Sequence, residues 1–141
     1  MKTQVISFDY NREQVKAGIV HIGVGNFHRA HEEYYTNLLL ADATQQNWGI
    51  CGVMLLPSDE HLYKALKKQN GEYTLTVCGR DGKDEAYRIG SLVELIWGVE
   101  NLSAVINKIA DKEIRIITLT ITEGGYNQDK TTGEFDLQNE M

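Results

Sequence analysis

The sequence lacks the features that mark secreted and membrane-spanning proteins. Its 141 residues include two cysteines, Cys51 and Cys78. That is too few for a disulfide scaffold, so we expect both to be buried thiols in a reducing cytosol. No apolar run approaches the ~18 residues that cross a bilayer, and nothing in the first 20 residues resembles a signal peptide. We therefore expect a soluble, cytoplasmic protein with no membrane partner.

Basic charge is also scarce. The chain has 14 Lys+Arg against 20 Asp+Glu and a formal net charge of −6, whereas nucleic-acid binders carry a basic patch or run. The densest basic stretch, Lys64, Lys67 and Lys68, has the spacing of the solvated face of a helix. We expect no nucleic-acid partner, although a helix N-terminus could hold the phosphate of a small anionic ligand.

The short motifs of metal sites are missing as well. Neither H-E-x-x-H nor C-x-x-C occurs. His28 and His31 could share a helix face and ligate zinc, but no third ligand is near them in the sequence. We predict that no metal is bound. A zinc-dependent hydrolase built on these two histidines is the weakest alternative, and it requires stoichiometric zinc in the purified protein.

What is present is the pattern of one globular α/β domain. With 42% hydrophobic and 24% charged residues, a chain of this length can bury about 68% of its unfolded surface. Strand-like runs at 18–25, 48–56 and 114–122 alternate with helical patterns at 26–43, 58–69 and 101–112, and an antiparallel hairpin is inserted at 73–92. This order predicts a Rossmann-like, doubly wound, mostly parallel sheet with a hairpin insertion.

The domain boundaries and the inward faces follow from the same pattern. We expect a loose polar N-terminal arm at 1–17, the Rossmann-like domain at 18–126 and a polar C-terminal tail at 127–141. Ser58 should cap the second helix, and the strand at 114–122 should be buried. The apolar spacing predicts as inward Ala30, Tyr34, Leu38 and Ala41, then Leu62, Ala65 and Leu66, then Leu102, Val105, Ile106 and Ile109.

The turn after the first strand is the first candidate site. Gly23 would permit a tight turn, and Gly25 would let a pyrophosphate approach the backbone at the start of a helix. His28 stands where G-x-G-x-x-G has its third glycine, although Ala30 could serve the same close packing. Arg29 could make bidentate contacts with anionic oxygens. A merely structural turn is the alternative interpretation, but the position between strand and helix favours a dinucleotide site.

Two acidic residues follow later strands. Asp59 comes just past the second strand, where the ribose hydroxyls of a dinucleotide would lie, or it only caps its helix; Glu60 is the neighbouring choice. Glu123 precedes Gly124 and Gly125 after the last strand. It would face the same crevice and could hydrogen-bond a cofactor or help to move a proton. An ordinary glycine turn is the alternative there.

Three segments carry a resemblance to a known family. The stretch G-V-G-N-F-H-R-A-H at 23–31 resembles the G-x-G-x-F-H-R-A-H signature of the polyol-specific long-chain dehydrogenases. That family includes mannitol 2-dehydrogenase, fructuronate reductase and tagaturonate reductase. W-G-I-C-G-V at 48–53 and L-T-I-T-E-G-G-Y at 119–126 resemble two further family segments. The resemblance extends from about Gly18 to the end of the chain, and the nine-residue signature is its most specific part.

The resemblance implies an NAD-dependent, metal-independent oxidoreductase that interconverts a secondary alcohol and a ketone on an open-chain sugar. NAD is favoured over NADP because Asp59 matches an acidic position that repels a 2′-phosphate. Glu123 matches a glutamate that helps proton passage. Together with the turn arguments, the cofactor-binding residues implied are Gly23, Gly25, Asn26, Phe27, His28, Arg29, Asp59, Glu123 and Gly124.

Length is the departure from the family, whose members have several hundred residues and carry their catalytic lysine and asparagines later in the chain. We expect an N-terminal cofactor domain alone, either engineered or a truncated gene product, that is inactive by itself. The polyol or sugar-acid substrate would belong to the parent enzyme, and the missing C-terminal catalytic domain would leave apolar surface that favours self-association. The alternative is a non-catalytic module that senses NAD or associates with a separate catalytic half.

Overall fold

Two β-sheets with four α-helices around them make up the part of the chain that a computed structural model describes, residues 4–129 and 131–137. The strands are β1 (Val5–Ile6), β2 (Ala17–Ile22), β3 (Gly49–Met54), β4 (Tyr73–Cys78), β5 (Asp84–Ile89), β6 (Leu92–Trp97) and β7 (Ile116–Leu119). The helices are α1 (Asn26–Ala30), α2 (Glu32–Leu39), α3 (Glu60–Lys68) and α4 (Leu102–Ile109). Short 3₁₀ turns lie at Arg12–Gln14, Ala43–Gln45, Pro57–Asp59 and Glu123–Tyr126.

The larger sheet is parallel throughout and has the strand order β6-β3-β2-β7. All six residues of β3 are buried, which explains the nearly continuous apolar run in the sequence. The chain moves outward from β2 through β3 to β6 and then crosses to the other side of β2 with β7. The strand order therefore reverses at β2, and ligands of such sheets bind at the carboxyl end of the strands at this reversal. The predicted Rossmann-like fold is confirmed.

The smaller sheet contains the predicted hairpin. Strands β4 and β5 pair antiparallel, and β1 joins β5 in parallel. The hairpin predicted over 73–92 combined β5 with the start of the next strand. In the structure Gly90 and Ser91 separate the two strands, and the chain then enters β6, an edge strand of the parallel sheet.

The segment before β2 packs onto the domain, which differs from the loose arm that we expected. Tyr10 and Val15 are buried against Leu40. The Tyr10 hydroxyl donates to Asn37 Oδ1 over 2.7 Å, and the same oxygen accepts from the Gly90 N–H over 2.9 Å. The N-terminal segment thus shares a buried hydrogen-bond network with α2. The domain boundaries at 17/18 and 126/127 remain a prediction.

The inward face of α2 is polar, so the predicted face was wrong. Glu33, Thr36 and Asn37 are buried, while Leu38 is 49% and Leu39 45% exposed. The expected single helix breaks at His31, whose φ of −123° and ψ of −80° are not helical. A break of this kind shifts the helical register, and a spacing counted across it selects the wrong side.

Other predicted positions also differ. In α4, Val105 is buried, but Leu102 and Ile106 are each 58% exposed. Strand β7 is an edge strand with exposed residues instead of a buried one. Asp59 occupies the N-cap of α3 in place of Ser58, and no side-chain cap bond forms there.

The two thiols also differ from each other. Cys51 is buried and Cys78 is exposed, so the expectation of two buried thiols was half wrong. Burial raises the pKa of the Cys51 thiol to about 12.

No helix within residues 4–129 and 131–137 is both long enough and apolar enough to cross a membrane.

The contrast between two helical leucines tests the packing. Leu66 on α3 is 2% exposed and belongs to the core under the sheet. We expect Leu66→Ala to lower the free energy of unfolding by about 2–5 kcal/mol, because it removes buried methyl groups and leaves a cavity. Leu102→Ala is the matched control and should change it by less than about 0.5 kcal/mol. Urea denaturation of the 141-residue chain measures both, and an equal loss at Leu102 would contradict the orientation of α4.

Candidate functional site

The glycine turn lies where the strand order reverses, directly after β2. The Gly23 N–H donates to the Val53 carbonyl of β3 over 2.9 Å. Its φ is +99°, a conformation that L side chains rarely adopt, and a Cβ there would lie 3.3 Å from the Thr120 carbonyl. Gly23 is therefore needed both for the turn and for its close contact with the chain after β7.

Gly25 differs from Gly23, because the fold leaves room for a side chain there. It is the N-cap of α1, and apart from its chain neighbours a Cβ added to it would meet no described atom closer than the Gly23 carbonyl at 4.0 Å. The first N–H groups of a helix have no carbonyl of their own helix to bond. A ligand with anionic oxygens could therefore approach this backbone closely.

Arg29 is held beside this turn by several contacts. Its Nε donates to the Gly25 carbonyl over 3.3 Å, and its Nη2 donates to Asn26 Oδ1 over 2.5 Å. The guanidinium lies 5.8 Å from the centre of the Tyr73 ring, and the Tyr73 hydroxyl donates to the Arg29 carbonyl over 2.6 Å. Phe27 is 66% exposed. Asn26, Phe27 and Arg29 thus all belong to the helix that begins at this turn, and their contacts with a cofactor stay predictions.

The acidic candidates follow the strands that flank β2. Asp59 is part of the 3₁₀ turn Pro57–Asp59 after β3 and is partly exposed. The 3₁₀ turn Glu123–Tyr126 follows β7. The side-chain surroundings of Glu123 and Gly124 lie outside the described residues. The ribose-binding role of Asp59 and the roles of Glu123 and Gly124 therefore stay predictions.

His28 lies beneath the turn instead of lining its open side. It is 1% exposed, and its ring stacks on that of His21 with centres 3.4 Å apart and an interplanar angle of 7°. Its Nε2 is 3.0 Å from Glu33 Oε1, and its Nδ1 is 3.6 Å from Glu32 Oε2. Any contact of this residue with a phosphate on the open side would have to come from its backbone N–H.

The surroundings of this buried cluster favour the charged forms of its groups. Burial would lower the pKa of His28, but the carboxylates of Glu32 and Glu33 together outweigh burial and raise it. Burial would raise the pKa of Glu32, but the nearby rings of His21 and His28 and the hydrogen bond from Thr118 hold that pKa well below its ordinary value. Glu32 is thus a carboxylate at neutral pH, and His28 is biased toward the imidazolium form.

The pairing of His28 with His31 that the zinc alternative requires does not occur. His31 is exposed, and its Nδ1 lies 2.7 Å from the Phe27 carbonyl. His21, His28 and Glu32 do bring three ligand atoms within 4.8 Å of one another. However, the two imidazole planes are nearly parallel, so their in-plane lone pairs run side by side and do not converge on one point. This arrangement suits a hydrogen-bonded ion pair better than tetrahedral coordination.

Sequence reasoning missed His21, Glu33 and Thr118 as parts of the site. One signal was available. His21 stands between Val20 and Ile22 in an otherwise apolar strand, and a buried polar side chain requires partners. The partner on β7 is 97 residues away along the chain, and no local pattern identifies it.

Comparison with known proteins gives this architecture a family. A family model described as the mannitol dehydrogenase Rossmann domain matches residues 17–137. The chain is 41% identical over 128 residues to mannitol 2-dehydrogenase of Phaeosphaeria nodorum. It is 43% identical over 132 residues to polyol:NADP oxidoreductase of Gluconobacter oxydans. These alignments cover 91% and 92% of this chain but 22% and 27% of the two relatives.

A solved structure agrees with the sequence comparison. The ternary complex of Pseudomonas fluorescens mannitol 2-dehydrogenase with NAD and D-mannitol is similar to the chain with a TM-score of 0.85 and 41% identity. The similarity covers 94% of this chain and 27% of that one. The chain therefore spans about a quarter of the length of the relatives it matches.

The cluster of His21, His28, Glu32 and Glu33 predicts that the free energy of unfolding depends on pH. It should fall at acid pH, which we call the acid limb, and again at alkaline pH. Since folding lowers the pKa of Glu32 from 4.5, its contribution is complete above that pH and is lost as the pH falls. Since folding raises the pKa of His28 from 6.5, its contribution is complete below that pH and is lost as the pH rises through the folded value. We expect the cluster to stabilise the fold most between these two pH values.

Glu32→Gln should weaken the acid limb and cost about 1.5–3 kcal/mol at pH 6, because hydrogen bonds to a charged acceptor are lost. Glu60→Gln is the control: Glu60 is an exposed helix carboxylate paired with Lys64, and its removal should leave the acid limb intact. Urea denaturation from pH 3 to pH 9 distinguishes the two. An unchanged acid limb in Glu32→Gln would show that this carboxylate is not the group involved.

Proposed function

The chain belongs to the mannitol dehydrogenase family, and from that premise we propose that its glycine turn binds the pyrophosphate of NAD. The observation that carries the proposal is the empty space in front of Gly25. A helix N-terminus opens onto that space at the reversal of strand order, and apart from the chain neighbours of Gly25 no described protein atom lies closer to an added Cβ than 4.0 Å. Dinucleotide pyrophosphates are bound at such positions.

Different residues around the turn would bind different parts of NAD. Gly25 and the first N–H groups of α1 would hold the pyrophosphate, and Arg29, with Asn26 and Phe27 beside it, would add a positive charge at its edge. Asp59 would accept hydrogen bonds from the adenosine ribose and repel a 2′-phosphate, so we assign NAD and not NADP. Bound NAD supplies hydride transfer at its nicotinamide ring.

We propose that the whole protein interconverts a polyol or sugar acid and its keto form. The relatives are about four times as long as this chain, so the catalytic groups would come from a part of the protein absent here. Glu123 would assist proton passage at the edge of the crevice. The 141-residue chain would bind cofactor in the cytoplasm without turning over a sugar.

Exposed apolar residues support association with a further domain. Ile116, Ile117 and Leu119 of the edge strand β7 are 43%, 46% and 59% exposed, and an apolar edge strand is a template for pairing. A covering catalytic domain would bury them. The second candidate function, a non-catalytic NAD-binding module that pairs with a separate catalytic half or with itself, is favoured by the same surface.

Cofactor preference is the first test. Calorimetric titration of the purified chain should show saturable binding of NADH and binding of NADPH at least about tenfold weaker, because the Asp59 carboxylate opposes a 2′-phosphate. Asp59→Ala should weaken NADH binding and reduce the difference between the NADH and NADPH affinities. D-mannitol and NAD together should give no NADH above a no-protein control. A folded chain that binds neither nucleotide would contradict the proposal.

Gly25→Ser separates cofactor binding from stability. Serine is a good N-cap, so the fold should be as stable as the wild type or more stable. Its side chain would enter the open space and compete with the pyrophosphate for the helix N–H groups, so NADH affinity should fall about tenfold or more. Asn101→Ser exchanges the N-cap of α4, which bonds the Ala104 N–H, and should leave NADH affinity unchanged. Normal NADH binding by Gly25→Ser would show that the pyrophosphate does not bind at this turn.

A further inference from the structure

His21 connects the glycine turn to the two elements beneath it. It lies on β2 and is 2% exposed. Its Nε2 is 3.1 Å from the Gly23 carbonyl and 3.0 Å from Thr120 Oγ1. Its Nδ1 is 2.7 Å from Thr118 Oγ1 and 3.3 Å from Glu32 Oε2. One imidazole therefore contacts the turn on one side and α2 on the other.

The contact with the Gly23 carbonyl matters because the same oxygen closes the turn. It accepts the Gly25 N–H over 2.8 Å, so the direction of this carbonyl fixes where Gly25 and the start of α1 lie. A donor from His21 on its other lone pair holds that direction. Since His21 is 2% exposed, it acts on a ligand only through the backbone.

The ring of His21 is fixed at both edges. The Gly23 carbonyl can only accept, so Nε2 is the donor in this contact. At the other edge Nδ1 faces Thr118 and Glu32, and Thr118 donates its hydroxyl hydrogen to Glu32 Oε1 over 3.0 Å. These contacts keep Nε2 directed at the turn.

The ionisable groups packed around His21 come from three elements. His28 of α1 stacks on His21 and carries a raised pKa. Glu32 and Glu33 of α2 supply two carboxylates, one to each ring. Behind Glu33 lies Tyr73 of β4; burial, and then the Glu33 charge, raise the pKa of its phenol. Two carboxylates can thus balance a positive charge on the imidazole pair.

We propose that His21 is a positioning residue for the dinucleotide, which holds the Gly23 carbonyl in the binding conformation by donating a hydrogen bond to it. The inference rests on the proposed binding of NAD at this turn. It adds a residue that touches neither cofactor nor substrate and that belongs to the strand before the signature stretch.

Two substitutions separate the parts of this role. His21→Gln keeps an N–H donor that can reach the Gly23 carbonyl, whereas His21→Leu removes it. The control is His61→Gln, which changes an exposed histidine on α3. NADH affinity is measured by fluorescence titration, and a thermal melt of each variant reports folding.

We expect His61→Gln to bind NADH as the wild type does. His21→Gln should bind within a few-fold of the wild type, because its amide restores the donor. His21→Leu should bind about tenfold more weakly, as expected for one lost hydrogen bond. Should His21→Leu fail to fold, His21→Gln still decides the question, because a loss of tenfold or more in this folded variant would contradict the role of the donor.

Three further results would overturn the inference. The first is NADH binding by folded His21→Leu that matches the wild type, which leaves the proposed function standing. The second is no NADH binding by the folded wild type, which removes the proposed function as well. The third is stoichiometric zinc in the purified wild type that is absent from His21→Gln, since the ring nitrogens would then be metal ligands.

Discussion

The hydrogen bonds of Gly23 fix the position of everything else at the candidate site. Its N–H is bound to Val53 of β3, its carbonyl accepts from Gly25 and His21, and the chain after β7 approaches it too closely for a side chain. One residue therefore connects the three strands that meet at the reversal of strand order. The direction of α1, and with it the N–H groups proposed to hold the pyrophosphate, follows from these contacts.

The buried charged cluster beneath the turn costs desolvation free energy. His28 and Glu33 are almost fully buried, and removing charges from water costs several kcal/mol per ion before pairing offsets it. An apolar core would support the turn at lower cost but could not hold the Gly23 carbonyl in one direction. Ion pairs and hydrogen bonds have preferred directions, and a backbone that must present N–H groups to a ligand needs that property.

The sequence was sufficient for features that depend on local chemistry. The turn at Gly23 and Gly25, the buried strand β3 and the hairpin of β4 and β5 were all predicted, because turn residues and strand periodicity act over a few positions. It was insufficient where a local break or a distant partner decides. The non-helical backbone at His31 reversed the inward face of α2, and the partners of His21 on β7 come from almost 100 residues away.

The exposed apolar surface and the proposed cofactor site both indicate that a further domain packs beside β7. Strand β7 is an edge of the parallel sheet in the described residues, and Leu102 and Ile106 on α4 also face outward. Relatives of about four times this length have the chain needed to cover such faces. The crevice proposed for NAD lies at the carboxyl end of β2, beside β7. A domain that covered β7 would therefore stand next to the nicotinamide end of the cofactor, where a hydride acceptor or donor must be placed.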